Sequence, residues 1–367
     1  MNLIKVILYS VLPSPYQRDL LYALSQHPKV DLQVNYLEAA CSDSPWPEKP
    51  IQSYERILPG FDLSWGLSRF HFNWDFPNLK EVDVVVFNGY MSLTAQLILR
   101  WQAQQVPCMF WGEAMVASSN GLKGKIQPFL AQPLEQCRGI AGIGSQAVAD
   151  YKKRFPNKPI FNIPYYCNLS EFQKQIPQRP RTPPTILFCG QMISRKGIDL
   201  LLQAFNTLLQ QGLEARLLLV GREAELPQML QNLPEITQEK IKYAGFQAPE
   251  NLPYFFRQAD LFVLPSRYDG WGVVVNQAVG AGLPIICSDA VGAARDLVEP
   301  KQNGLIFPAG DVDALTEAFA NFLQNPQAIE RASIASQKKA ENWSPTVGAQ
   351  KWVDALEAVI DQGALKQ

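Results

Sequence analysis

Leu264-Pro265-Ser266-Arg267-Tyr268-Asp269-Gly270-Trp271-Gly272-Val273-Val274-Val275-Asn276-Gln277-Ala278, followed by Gly280-Ala281-Gly282-Leu283-Pro284, is the most informative stretch of this 367-residue chain. An apolar strand is expected to end at Pro265. A loop holding two glycines turns the chain, and a helix is expected from near Val273 until Gly282-Leu283-Pro284 stops it. Glycines at such a turn let backbone approach a ligand closely, and a helix start offers free N–H groups and a positive dipole end to an anion. Gln277 falls about one turn inside the helix, so its amide can reach the same ligand side.

The same strand-turn-helix rhythm repeats on both sides of this segment. Upstream and downstream of it, strands are expected at 185–189, 215–220, 241–244, 261–264 and 284–287, with helices near 198–211, 226–232, 252–258 and 273–281 and a helical tail from Asp313. The first half repeats the series, with strands at 5–9, 32–36, 82–88, 107–111 and 139–144 and helices near 17–25, 92–104 and 145–154. Residues 40–76, rich in aromatics and proline, are expected to be irregular. Alternation of this kind predicts parallel sheets with helices on both faces. Residues 174–184, with Pro177, Pro180, Pro183 and Pro184 among polar and basic neighbours, read as a linker. Two doubly wound domains result, and such sheets bind ligands beyond the carboxyl ends of their strands, so a cleft between the domains is expected to hold the site.

Composition narrows the partners. Lys and Arg (33) nearly cancel Asp and Glu (34), so no global positive field exists to hold nucleic acid. Locally, Lys152-Lys153-Arg154 and the pair Lys123 and Lys125 read either as solvated surface charge or as a contact with anionic lipid. Cys41, Cys108, Cys137, Cys167, Cys189 and Cys287 are scattered, with no C-x-x-C pair and no His at metal-ligand spacing, which fits a reduced, cytoplasmic compartment. Residues 1–9 read as a first strand rather than a signal peptide, and no stretch offers the roughly 18 unbroken apolar residues of a membrane span.

Asp269-Gly270-Trp271-Gly272, with Gln277-Ala278 after it, resembles the signature E-G-F-G-x-x-x-x-E-A of the retaining GT-B glycosyltransferases of family four, also called glycosyl transferases group 1. More segments agree in order. Cys189-Gly190-Gln191-Met192-Ile193-Ser194-Arg195-Lys196-Gly197 is similar to the first strand and Arg-Lys-Gly turn of the family's donor domain. Leu218-Leu219-Val220-Gly221 is similar to its next strand and Gly turn, and Tyr243-Ala244-Gly245-Phe246 to the loop beside the base. The sequences 288–294 and 303–311 follow the family as well, and the match spans roughly 185–323.

The resemblance implies an α/β GT-B architecture, two Rossmann-like doubly wound domains facing across a cleft. Residues 1–173 would be the acceptor domain, 174–184 the linker and 185–343 the donor domain, with a last helix over 344–367 packing back on the first domain through Trp343 and Trp352. It implies transfer of a sugar from a UDP- or GDP-sugar to a glycan or lipid-linked acceptor with retention, without a metal or other cofactor. Asp269 would contact the donor sugar and Gln277 the ribose, both in place of Glu; Arg195 and Lys196 suit a diphosphate. Gly190, Gly221, Gly245, Phe246, Gly270, Trp271, Gly272 and Val273 complete the donor set. Many relatives carry a His in the acceptor domain, and neither His27 nor His71 has that context, so Glu113 in Trp111-Gly112-Glu113-Ala114 is the candidate polar group at the reaction centre. Arg18, in the loop and helix start after the first strand, is a candidate for acceptor or donor phosphate. Bacterial envelope polysaccharide or glycolipid synthesis, in the cytoplasm or peripherally on the membrane's inner face, follows by family habit. A nucleotide-sugar binding protein without turnover and a GT-B isomerase or phosphorylase remain as alternatives.

Two further motifs point elsewhere on paper. Gly142-Ile143-Gly144-Ser145-Gln146-Ala147 fits G-x-G-x-x-A, but its mid-chain position argues against a dinucleotide site. Asp311-Val312-Asp313 fits the metal-binding D-x-D of GT-A enzymes, yet it opens a helix after Pro308-Ala309-Gly310 and reads better as a cap.

Overall fold

The computed structural model describes residues 3–40, 49–65, 68–102, 104–115, 122–174, 176–177 and 180–364. Cys41 and the side chains of Lys123 and Lys125 lie outside the described part. The chain divides into two compact units, one of residues 1–166 and 345–367 and one of residues 167–344.

In the first unit the order is β1 (Ile4–Ser10), α1 (Pro15–Ser25), β2 (Val30–Tyr36), β3 (Glu55–Ile57), β4 (Gly60–Trp65), β5 (Ser68–Asn73), β6 (Val84–Asn88), α2 (Leu93–Gln102), β7 (Cys108–Gly112), α3 (Leu122–Ala131), β8 (Gly139–Gly142), α4 (Ser145–Arg154) and β9 (Ile160–Asn162). Seven parallel strands form its sheet in the order β3-β2-β1-β6-β7-β8-β9, so the direction of winding reverses between β1 and β6. Strands β6 and β7 are buried almost throughout, as expected of a sheet covered on both faces. Right-handed crossovers put α2, α3 and α4 on one face and α1 on the other.

The second unit contains α5 (Ser170–Gln173), β10 (Thr185–Cys189), α6 (Ile198–Gln210), β11 (Arg216–Val220), α7 (Leu226–Leu230), α8 (Glu235–Gln238), β12 (Ile241–Tyr243), α9 (Leu252–Arg257), β13 (Leu261–Leu264), α10 (Val274–Gly280), β14 (Ile285–Ser288), α11 (Ala294–Leu297), β15 (Gly304–Phe307), α12 (Val312–Leu323) and α13 (Pro326–Glu341). Its sheet runs β12-β11-β10-β13-β14-β15, all parallel, with the reversal between β10 and β13. The final helix α14 (Pro345–Ala364) belongs to the first unit. A Cβ on Gly348 would come within 2.6 Å of Leu20 and Tyr166, so α14 seats tightly against α1.

Three expectations change. The supposedly irregular 40–76 region supplies β3 and an antiparallel hairpin, β4 paired with β5 in a register that sets Phe61 opposite Phe72. Aromatic side chains favour strands, and the prolines flank the hairpin rather than interrupt it. The domain boundary falls at Tyr166 rather than after residue 173, because Phe172 packs edge-on against Phe256 (5.3 Å between rings) and Leu169 fills the space over Gly280. The end of the Pro-rich run is fastened to the second unit too: the buried Asp260 accepts from the backbone N–H of Arg181 (3.1 Å) and Thr185 (2.8 Å). Finally, only Trp352 serves the first unit, edge-on to Trp111 at 5.4 Å; Trp343 stacks instead on Trp271 within the second unit.

Candidate functional site

Parallel strands bring Gly190 (after β10), Gly221 (after β11), Gly245 (after β12) and 269–272 (after β13) to one edge of the second sheet. Glycine is required at several of these points. At Gly221 φ is +136° and a Cβ would stand 1.9 Å from the Gly190 carbonyl oxygen; at Gly197 φ is +72° and a Cβ would stand 2.0 Å from that of Pro265. The loops are also stitched together: Gly221 N donates to the Gly245 carbonyl and Arg267 N to the Arg195 carbonyl, both at 2.9 Å. Such close backbone approach leaves peptide groups, rather than side chains, lining the edge.

Two charges meet there. Lys196 Nζ lies 2.5 Å from Asp269 Oδ2, with the side chains only 18% and 12% exposed. Asp269 is fixed on both sides, its N–H donating to Ala290 and its carbonyl accepting from Gly292. Arg195 is more open and donates to the Tyr268 carbonyl at 3.1 Å. Arg267 grips Asp199 with two bonds of 2.7 and 2.6 Å, which ties the Arg195-Lys196 turn to the loop after β13. Burial works to raise the Asp199 carboxyl, but the Arg267 hydrogen bond and charge outweigh it and hold it below its usual range.

Gln277 lies on α10 with its Oε1 buried and without a hydrogen-bond partner. Burying an acceptor unpaired is costly, so this atom is available to a ligand hydroxyl. Phe246 is 45% exposed, and beside it a Cβ on Gly245 would meet nothing within 4 Å, so that loop is open. Trp271 corrects the sequence reading: its ring is buried, donates to Asn276 Oδ1 at 2.8 Å and stacks on Trp343. Only its backbone remains for a ligand. Helix α10 has seven residues, so its dipole is a small contributor beside the cations.

The first unit holds a separate cavity of about 610 Å³ beyond the carboxyl ends of β1, β6, β7 and β8. Glu113 lines it, as do Tyr90, Trp111, Tyr165 and, unforeseen, His71. His71 is 3% exposed; its Nε2 lies 3.3 Å from Glu38 Oε2, and its Nδ1 has no hydrogen-bond partner. Thr94 holds the His71 backbone by donating to its carbonyl at 2.9 Å. Burial, then the nearby Glu113, keeps the Tyr165 hydroxyl protonated. Only the hairpin, missed in the sequence, puts His71 here. Arg18 is not available to a phosphate: Glu55 takes its guanidinium with bonds of 2.8 and 2.5 Å, and the Pro50 carbonyl accepts a third.

The paper motifs have structural roles. A Cβ on Gly142 would lie 2.8 Å from Val148 N, so this glycine serves the close packing of β8 on α4. Asp311 accepts from Ala314 N at 2.9 Å and caps α12. Among the described residues no three His, Cys, Asp or Glu side chains gather as a metal-binding group.

With two parallel sheets whose glycine loops gather at the carboxyl edge, the structure has the GT-B fold of glycosyltransferases. It matches sucrose-phosphate synthase from Thermosynechococcus elongatus with a TM-score of 0.74, covering 98% of this chain and 99% of that one at 19% identity. Residues 170–341 match the family model for glycosyl transferases group 1, and the second unit belongs to that family. Among curated relatives, a phosphatidyl-myo-inositol mannosyltransferase of Mycobacterium leprae is 28% identical over 61% of this chain and 62% of its own length. The O-antigen chain mannosyltransferase B of Escherichia coli is 32% identical over 43% of this chain and 42% of its own. The chain thus spans less than two thirds of either relative.

Proposed function

We propose that this chain is a glycosyltransferase that moves a hexose from a nucleotide-diphosphate sugar to a hydroxyl of a glycan or lipid-linked acceptor, with retention of anomeric configuration. The observation that carries the reading is the Lys196–Asp269 pair at 2.5 Å, set on loops after the neighbouring strands β10 and β13 of a glycosyl transferases group 1 unit. Asp269 receives donor sugar hydroxyls, Lys196 and Arg195 the diphosphate, Gln277 Oε1 a ribose hydroxyl, and Gly245 and Phe246 the base. Gly190, Gly221, Gly270, Gly272 and Val273 bring backbone close to the phosphates.

In the reaction the bond from anomeric carbon to diphosphate oxygen breaks, and the leaving diphosphate keeps the electron pair. The acceptor oxygen attacks from the same face, and its proton passes to the leaving phosphate. Lys196, Arg195 and backbone N–H groups offset the charge that develops there, the usual source of such rate enhancement. The reading requires no metal or other cofactor. On the acceptor side, Glu113 and His71 hydrogen-bond hydroxyls in the first unit's cavity, beside the rings of Tyr90, Trp111 and Tyr165. The relatives' names make mannose the first donor sugar to try. The work is read as cytoplasmic, at the membrane's inner face, where lipid-linked acceptors would be met.

The test is release of free nucleotide from UDP-, GDP- and ADP-sugars, GDP-mannose among them, by the native protein and by Lys196→Ala, with melting curves as a folding control. Release from one donor, lost in a folded Lys196→Ala, is expected. Equal release by both would sink the assignment of Lys196, and binding without release on any acceptor would leave a donor-binding protein.

A further inference from the structure

The hairpin of β4 and β5 is turned polar side in. Successive strand residues face opposite ways, so His71 and Asn73 share one face of β5 and Phe72 takes the other. His71 and Asn73 are each 3% exposed, whereas Phe72 is 37% exposed. Asn73 is satisfied: its N–H donates to Thr94 Oγ1 at 3.0 Å, and its Nδ2 donates to the Leu37 and Leu58 carbonyls at 2.9 and 3.3 Å. These bonds fasten β5 to α2 and to the chain leaving β2. His71 is different, because neither of its ring nitrogens has a hydrogen-bond partner. Burying polar atoms unsatisfied costs stability, and such atoms point to a ligand or to a bond that a ligand completes.

Glu38 answers one of the two nitrogens. Its Oε2 lies 3.3 Å from His71 Nε2, and both side chains are buried. The Glu38 backbone is fixed as well, its N–H donating to the Val11 carbonyl at 3.0 Å. A small rotation of the ring completes the bond, and contacts of this kind tighten when a complex forms. A carboxylate only accepts, so it selects the tautomer with hydrogen on Nε2 and leaves Nδ1 as an acceptor. His71 lines the first unit's cavity and Glu38 does not. The imidazole therefore stands between the carboxylate and the cavity.

The rest of the wall decides what that acceptor can meet. Trp111 Nε1 is spent on the Ile163 carbonyl at 2.8 Å and Tyr151 Oη on the Glu113 carbonyl at 2.6 Å, which leaves these side chains to offer ring surface. Among the described residues no Lys or Arg lines the cavity, and Glu113 is its one carboxylate. An anion would meet that charge with nothing to offset it. A sugar ring brings hydroxyls that donate and C–H faces that lie on aromatic rings, matching a mostly apolar wall with a few placed polar groups.

We propose that Glu38 is a positioning residue: it holds His71 so that Nδ1 accepts a hydrogen bond from a hydroxyl of an uncharged sugar ring seated in this cavity. The dyad orients that hydroxyl and moves no proton. The proposal rests on the reading of the cavity as the acceptor side and narrows the acceptor to a neutral saccharide at this point.

The chain has two histidines, so long-range proton–nitrogen correlation spectra of the full chain made with isotope-labelled histidine resolve both imidazoles. His27, which does not line the cavity, is the internal control. At about pH 8, above the ordinary imidazole value, His71 is expected to carry its hydrogen on Nε2. Methyl α-mannoside, methyl β-glucoside, methyl α-galactoside and N-acetylglucosamine are then titrated in turn. At least one is expected to shift His71 Nδ1 saturably and leave His27 unmoved, and mannose 6-phosphate is expected to bind more weakly than mannose. Glu38→Leu, checked for native melting, should lower the Nε2–H fraction and weaken sugar binding by about 5–10-fold, the worth of one hydrogen bond. Glu38→Gln, whose amide oxygen still accepts, should keep the tautomer and bind within about threefold of the native protein. A native His71 protonated on Nδ1 alone or on both nitrogens overturns the proposal. So does the absence of any sugar-dependent shift, tighter binding of mannose 6-phosphate than of mannose, or a folded Glu38→Leu with unchanged tautomer and affinity. Should Glu38→Leu fail to fold, the native spectra and Glu38→Gln decide alone. Calorimetry of free UDP and GDP on the native protein reads the second unit separately, so failure of the donor site is told apart from failure of the dyad.

Discussion

The Lys196–Asp269 pair can be weighed by a double-mutant cycle with Lys196→Ala, Asp269→Ala and the combined change. At the 2.5 Å separation and an effective dielectric of about 20, the gross attraction is about 6–7 kcal/mol. Exposures of 18% and 12% mean that both groups give up most of their hydration, which offsets the larger part of that attraction. Fully exposed pairs couple by less than about 1 kcal/mol, whereas stripping one partner from a buried pair costs about 3–5 kcal/mol. This pair falls between, so each single substitution is expected to destabilise the second unit by about 2 kcal/mol, with a coupling of about 1–2 kcal/mol. The double variant should then be worse than either single one by no more than about 1 kcal/mol. For a unit of this size the single changes lower Tm by about 4–8 °C. Near-ultraviolet circular dichroism during denaturation reads both units, through Trp111 and Trp352 in the first and the stacked Trp271 and Trp343 in the second, and only the second unit's transition is expected to move. A coupling below about 0.3 kcal/mol, the additivity limit of independent sites, would refute the claim that the two loops are held by this charge pair.

Two other outcomes follow from single side chains. Gln277→Leu should lower the affinity for free UDP or GDP in calorimetry by about 3–10-fold, the worth of one hydrogen bond, while leaving stability unchanged or slightly raised because no protein group loses a partner. A drop in stability with unchanged affinity would make Gln277 structural. For Asp199, whose carboxyl is held below its usual range, the linked stability is fully present above its unfolded value of about 4 and drains away as pH falls through the lower folded value. Arg267→Ala should therefore flatten the acid limb of the stability curve below about pH 4 and leave its slope near neutrality alone; an unchanged acid limb would contradict the pairing.

The second unit was legible in the sequence because its loops depend on glycine, and glycine is visible as a letter. Gly197 and Gly221 sit where any Cβ would strike a carbonyl oxygen, so the motif and the geometry are one constraint. Short strands such as β10 and β13 are continuous apolar runs and could be placed to the residue. Side-chain direction was another matter. Trp271 occupies a motif position, but a partner remote in sequence, Trp343, draws its ring inward. In the first unit β4 and β5 alternate apolar with polar residues instead of forming a continuous apolar run, and the aromatic, Pro-flanked stretch around them hid that alternation; with the hairpin went His71. Its partner Glu38 follows β2, so the dyad exists only once β2 and the hairpin are brought together by tertiary packing. Arg18 failed for the same reason: a cation in a promising loop says nothing about the buried carboxylate of Glu55 waiting for it.

Helix α2 joins the two unexpected features of the first unit. Its inner face supports the cavity directly: Thr94 bonds the His71 carbonyl, Gln96 bonds the Tyr90 carbonyl, and Ser92 Oγ accepts from Ala95 N to close the helix start. Its outer face carries Leu93, Leu97 and Trp101, each about half exposed. The polar residues that an ordinary amphipathic helix would turn to solvent are the ones that position His71 and Tyr90. Burying Thr94 and Gln96 beside Ile98 and Leu99 on α2 thus builds the cavity wall, while Leu93, Leu97 and Trp101 lie on the opposite stripe.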